Sequence, residues 1–169
     1  MQLIFPTMEH KQAVLDYKQE HIACGEANIH GSSGLIRADS YESWLEKIIR
    51  NQTEADPDWV TGSVYFAVEN DRIVGTIAVR YDLNESLRNI GGHIGYGIRP
   101  SERRKGYGAA MLALALEKCR EAGIKKALVT CDKVNLASAK TAIANGGVLE
   151  DEFTEENGNI VQHYWITLD

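Results

Sequence analysis

Cysteine is scarce in this chain. Three occur in 169 residues, at Cys24, Cys119 and Cys131, with no C-x-x-C pair and no histidine at zinc spacing. Neither a disulfide framework nor a structural metal is expected, and a reducing compartment fits. Nowhere do about 18 apolar residues run together, the length needed to cross a bilayer. The start, Met1-Gln2-Leu3-Ile4-Phe5-Pro6, has no basic region followed by a long apolar stretch, so no secretion signal or membrane span is expected and the cytoplasm is the natural location. An excess of positive charge is also missing. Lys and Arg number 18 against 24 Asp and Glu, a formal charge of -6, with a pI near 5.4. That balance disfavours a general nucleic-acid or anionic-membrane binder and, weakly, favours cationic substrates. What is present is 44% hydrophobic and 25% charged residues, the composition of a single globular domain, taken as 1–169, around one core.

Along the chain, apolar periodicity and turn residues predict the elements. Leu3 to Phe5 reads as a short strand ended by Pro6. Ala13, Val14, Tyr17 and His21 then recur at helical spacing after Thr7. Gly, Ser, Asn and His dominate Cys24 to Asp39, which predicts a long loop, and loops of that length are often functional. Ser40 caps a second helix carrying Trp44, Leu45, Ile48 and Ile49. Val64 to Val68 and Ile73 to Val79 form a hairpin across Asn70-Asp71. Asn84 to Asn89 reads as a polar connection and Gly92 to Ile98 as a strand, whose glycines at 95 and 97 suggest a bulge or a close backbone approach. The helix from Gly106 to Ala122 is amphipathic, with Leu112, Ala115, Leu116 and Cys119 on one face and Gly123 as its stop. Lys126 to Cys131 is an apolar strand, so this strand-helix-strand unit implies a right-handed crossover and a parallel pair. Asn135 caps a last helix to Asn145, and Val148 to Phe153 with Ile160 to Leu168 close the chain around Asn157-Gly158.

Within this acidic chain, Arg99, Arg103, Arg104 and Lys105 fall within seven positions immediately before Gly106-Tyr107-Gly108. A helix start offers unpaired N–H groups and the positive end of a dipole, and glycines let the backbone approach phosphate oxygens. A diphosphate suits that arrangement. The plainer reading is a solvated surface loop, but the strand before and the amphipathic helix after supply the context an anion site needs. Dinucleotide and P-loop readings fit less well: no G-x-G-x-x-G follows the first strand and no Gly-Lys-Ser/Thr is present.

The run Ile98-Arg99-Pro100-Ser101-Glu102-Arg103-Arg104-Lys105-Gly106-Tyr107-Gly108-Ala109 resembles the signature of the GNAT acetyltransferase superfamily, an Arg or Gln, two residues, Gly, one residue, then Gly or Ala. Asn135-x-x-Ser138 followed by Gly146-Gly147 resembles its next motif, and the order of elements is similar across nearly the whole chain. The resemblance implies an α/β fold with a mixed, mostly antiparallel sheet, one parallel pair between the fourth and fifth strands, and about four flanking helices, consistent with the crossover read above. It implies acetyl-CoA as co-substrate, with no metal. Backbone groups around Tyr96, Gly97 and Ile98 would then take the pantetheine arm, and Arg103, Arg104, Lys105, Gly106, Tyr107, Gly108 and Ala109 the pyrophosphate. Asn135 and Ser138 would contact the arm, although Asn135 is also a good helix cap in its own right. The acceptor would be a primary amine on a small molecule or a peptide. A homodimer is a prior from the frequency of two-fold assemblies and from the resemblance.

Acyl transfer to an amine requires a deprotonated nucleophile, a donor for the oxyanion and an acid for the leaving thiolate. Two positions depart from the family pattern. Ala142 stands where many relatives carry the tyrosine acid, and Gly92, beside His93, where some carry a glutamate base. His93 and Tyr96 are the candidate replacements, with His163 and Tyr164 behind them; each has a structural alternative, a packed strand residue. On a regular strand His93 and Tyr96 face opposite ways. Cys131 lacks a nearby His, so transfer within a ternary complex is favoured over an acyl-enzyme. His21, Glu20, Glu26, Trp44 and Trp59 are candidates for the acceptor side. A non-catalytic acyl-CoA-binding or regulatory module is the alternative the missing Tyr and Glu suggest.

Overall fold

The computed structural model describes residues 1–168. Seven strands form one sheet in the order β1-β2-β3-β4-β5-β7-β6. They are β1 (Gln2–Ile4), β2 (Gly62–Glu69), β3 (Arg72–Arg80), β4 (Ile94–Ile98), β5 (Lys126–Asp132), β6 (Val148–Thr154) and β7 (Ile160–Thr167). All neighbours are antiparallel except β4 and β5, which are parallel. Five α-helices accompany them: α1 (Lys11–Ala23), α2 (Tyr41–Arg50), α3 (Glu85–Asn89), α4 (Tyr107–Glu121) and α5 (Leu136–Ala144). The expected mixed sheet with its parallel β4–β5 pair is present. The polar connection after β3 is in fact the short helix α3, because the Asn84 side chain accepts from the Leu87 N–H at 2.8 Å and caps it.

Period-two alternation on the central strands builds a core on each face of the sheet. Val64, Phe66 and Ala78 pack with Val14, Tyr17, Trp44, Leu45 and Ile48 of α1 and α2. Ala67, Ile77, Val79 and Ile94 pack with Met111, Leu112, Ala115 and Cys119 of α4 and Ala139 and Ala142 of α5. Trp44 belongs to the first of these cores, its indole N–H donating to the Ser32 carbonyl at 2.7 Å, and does not face a pocket. Ser40 caps α2 as expected, accepting from the Ser43 N–H at 3.0 Å. β6 lies at the edge, and its exposed Glu150, Asp151 and Glu152 put negative charge there that disfavours pairing with another chain.

The loop between α1 and α2 folds back over the sheet. Thr76 Oγ1 donates to the His30 carbonyl at 3.0 Å, and a Cβ on Gly31 would stand 2.5 Å from the Gly95 carbonyl oxygen and 2.7 Å from Tyr96 Cα. Only glycine allows the loop to lie that close to β4. No helix among the described residues is long and apolar enough to cross a membrane.

Candidate active site

β4 and β5 meet at only one aligned pair, Ile94 with Val129, reinforced by His93 N–H donating to the Leu128 carbonyl at 2.8 Å. Beyond that point they part. Gly95 to Ile98 continue beside β3 alone, and Thr130 to Asp132 beside β7 alone. The bonds Arg80 N–H to His93 O and Arg99 N–H to Val74 O, both 2.8 Å, fix the phase of the β3–β4 ladder. Because antiparallel bonding alternates, the His93 carbonyl and residues 95, 97 and 99 turn toward β3, while Tyr96 and Ile98 turn their polar groups toward the gap. The result is an unpaired strand edge facing an open space inside the sheet.

That space is a cavity of about 940 Å³. At one end stands the start of α4, where Gly106 has φ of 82° and no side chain caps the helix. The first N–H groups of this 15-residue helix therefore point into the cavity without a partner side chain. Every residue expected to hold the cofactor lines this cavity except Lys105: Gly97, Ile98, Arg103, Arg104, Gly106, Tyr107, Gly108, Ala109, Asn135 and Ser138 are all there. Lys105 turns away to Glu102, at 2.8 Å, because that carboxylate, already held by Arg72 at 2.7 Å, lies one turn back.

The basic cluster proves largely neutralised. Arg99 is buried, its Nε 2.5 Å from Glu20, and Arg103 Nη2 is 2.5 Å from Glu26. Burial alone would raise the Glu20 carboxyl, but hydrogen bonds from Ser101 and Arg99 outweigh it and bring it down to about 2. Of the four, only Arg104 has no carboxylate partner among the described residues. Glu20, Glu26 and His21 are thus occupied beside the 99–105 loop, His21 Nδ1 lying 2.6 Å from Glu26, and none of them lines this cavity. Nor does Trp59, which lines a smaller cavity against β2 and β3.

His93 and Tyr96 are not brought together. His93 is buried outside the cavity; its Nδ1 accepts from the Leu128 N–H at 2.9 Å and its ring meets Trp165 edge-on. Burial pushes its pKa down to about 4. A base needs a free nitrogen facing substrate, and here the accepting nitrogen is already committed to β5. Tyr96 lies in the cavity, with its hydroxyl 2.7 Å from Ser138 Oγ on α5. Burial raises this phenol above the ordinary tyrosine value, and the bond to Ser138 works against that, so it holds its proton at neutral pH. His163 bonds Asp151 and the Asn89 carbonyl, Tyr164 donates to Gln162 at 2.8 Å, and neither reaches the cavity. Cys131 lines the cavity, but burial raises its thiol and no imidazole is bonded to it. Sequence reasoning missed Arg80 and did not single out His30 within its long loop, and both also line this space. Neither carries a motif; they arrive through the hairpin and the folded-back loop.

Among the described residues no group of three or more His, Cys, Asp or Glu is placed to hold a metal ion. Residues 34–142 match the family model of the acetyltransferase (GNAT) family, and the chain belongs to that family. Comparison with curated proteins finds no match. Solved structures share the fold at low identity. The microcin self-immunity acetyltransferase MccE, solved with acetyl-CoA and AMP, superposes with a TM-score of 0.70 at 18% identity, over 98% of this chain and 91% of that one. An acetyltransferase from Salmonella typhimurium that modifies the N-terminal serine of a 50S ribosomal subunit protein gives 0.69 at 16% identity, over 99% and 94%. The Salmonella typhimurium protein yncA, a putative acetyltransferase solved with acetyl-CoA, gives 0.65 at 14% identity, over 99% and 94%.

Proposed function

We propose that this protein transfers an acetyl group from acetyl-CoA directly to a primary amine in the gap between β4 and β5. The observation that carries the reading is the unpaired edge of β4 running into the uncapped start of α4. An extended arm containing amides, ending in a diphosphate, matches that pair of features in order. The N–H groups of Tyr107, Gly108 and Ala109, with Arg104 beside them, hold the pyrophosphate, since both the helix dipole and the free donors favour an anion there. Polar backbone groups of Tyr96 and Ile98 pair with the pantetheine amides as a neighbouring strand would. Asn135 and Ser138 border the arm from α5. Bound in this way, acetyl-CoA supplies a thioester whose carbonyl carbon an amine can attack.

The chain's own part in the chemistry falls to Tyr96. As the C–S bond breaks, its phenolic proton passes to the departing sulfur, and Ser138 holds the hydroxyl in place. Ala142 is fully buried in the core between α4 and α5, so a phenol at that position would have to displace packed side chains. The ring from β4 fills the need by reaching α5 one turn earlier, at Ser138. The amine's own proton leaves to solvent water in the open cavity, the same water returns a proton to the Tyr96 phenolate, and His93 serves to tie β4 to β5. Thiol release from acetyl-CoA across a panel of amines tests the proposal: turnover with at least one acceptor is expected, together with CoA binding. Tight CoA binding with no turnover on any amine would instead indicate a binding module.

A further inference from the structure

A second cavity, of about 500 Å³, opens beside the first. The two share Asn28, Ser33, Gly34 and Arg80, so they join at the end of the gap away from α4. In a chain of net charge -6, this smaller cavity is lined by Arg37, Lys47 and Arg80. The single carboxylate there, Asp56, is already paired with Arg50 at 2.5 Å. Among the described residues, none of the three cations forms an ion pair within 4.0 Å.

Arg80 is set in place with care. Its Nη1 donates to the carbonyls of Gly91 and Gly92 at 2.7 and 3.0 Å. Its Cζ lies 5.8 Å from the centroid of the Trp59 ring, and a Cβ on Gly95 would come within 3.0 Å of Nη2. One side of the guanidinium is thus fixed by backbone oxygens. Nε and Nη2 have no protein acceptor among the described residues, and the residue borders both cavities. A partly buried cation with no counter-ion is costly to keep, and burial has lowered its pKa to about 10, still far above neutrality. A planar donor fork held rigid before binding is suited to a carboxylate or phosphate, because little side-chain entropy remains to be lost.

We propose that the acceptor is an amine whose own molecule carries an anionic group, carboxylate or phosphate, bound by the free edge of Arg80 with Lys47 and Arg37 at the mouth. The inference rests on the acetyl-transfer reading and names the substrate class of that same site. It reverses what net charge suggests. An acidic chain favours cations at long range, but within a Debye length of about 10 Å the local side chains decide, and these repel polyamines.

Matched pairs test it by calorimetry on protein saturated with CoA: phosphoethanolamine against ethanolamine, β-alanine against propylamine, and ornithine against putrescine. The anionic member should bind at least about tenfold more tightly, about 1.4 kcal/mol, since its charge-assisted bonds meet a preformed fork. The phosphate and carboxylate arms tell which anion fits. Arg80→Met should abolish the preference. Should that variant fail to fold, Lys47→Ala and Arg37→Ala, both at exposed positions, should each weaken the anionic members two- to fivefold, roughly 0.4–1 kcal/mol for a solvent-exposed charge, and leave the others unchanged. Equal or tighter binding of ethanolamine, propylamine or putrescine, or no binding by any anionic member, would overturn the proposal. Thiol release measured on the same panel separates the two readings. Anion-selective binding without release on any amine would remove acetyl transfer but support the anion pocket; release that prefers putrescine would do the reverse.

Discussion

Replacing His93 by Ala separates a structural from a proton-transferring role, and the structure sets the size of the effect. The imidazole Nδ1 accepts the Leu128 N–H at 2.9 Å at the one place where β4 and β5 are joined. Deleting it leaves a buried donor unpaired, at about 1–3 kcal/mol, and removes a ring packed against Trp165, so a loss of about 2–4 kcal/mol is expected at pH 7.5. Acidity changes that figure in a direction that can be worked out. Folded His93 titrates near 4 against an ordinary value of 6.5. Below pH 6.5 the unfolded chain takes up a proton that the folded chain refuses. The stability tied to the neutral ring is therefore intact above pH 6.5 and is lost as pH falls through 4. At about 1.4 kcal/mol per pH unit, the wild-type protein gives up roughly 2–3 kcal/mol by pH 4.5 through this residue alone. His93→Ala has no such term, and the other groups titrate alike in both proteins and cancel. Urea melts of the pair at pH 7.5 and 4.5 should show the gap in stability shrinking by that amount. Assayed where both are folded, the variant should keep the wild-type pH dependence of kcat/KM. A gap unchanged with pH, or a fall in kcat of about 10²–10⁴-fold with loss of the alkaline-rising limb, as removal of a general base produces, would refute this account.

Tyr96→Phe should lower kcat by about 10²-fold or more while CoA affinity changes little, since the phenol acts when the C–S bond breaks; stopped-flow or steady-state thiol release reads this, and an unchanged kcat would dismiss Tyr96 as the acid. Gly106→Asp should weaken CoA binding at least about tenfold more than Gly106→Asn, because both share the left-handed φ of 82° and only one adds negative charge at the helix start; equal losses by calorimetry would place the pyrophosphate elsewhere. Arg104→Ala should reduce CoA affinity and its salt dependence, whereas Lys105→Ala, whose ammonium is held by Glu102, should change affinity by less than about twofold, the scale of an exposed charge. A reversed order would show that the loop rearranges on binding.

The element order, the hairpin, the capped α2 and α5 and the glycine-flanked start of α4 were legible in the sequence because each is local. Period-two and helical apolar spacing, Ser40 and Asn135 as caps, and glycines beside a basic run all act through neighbours a few residues away. Tertiary structure alone decided the rest. The run Arg99 to Lys105 reads as four cations, yet Glu20 and Glu26, about eighty positions earlier, and the nearby Glu102 neutralise three of them. His93 is three residues from Tyr96 in the chain, but one is bound into β5 and the other reaches α5 across the gap. Arg80 closes a buried strand and shows nothing in its sequence context; its free edge exists because two glycine carbonyls hold the other side. Charge partners, burial and the parting of two strands depend on contacts between distant segments, and no spacing along a chain encodes which of those contacts will form.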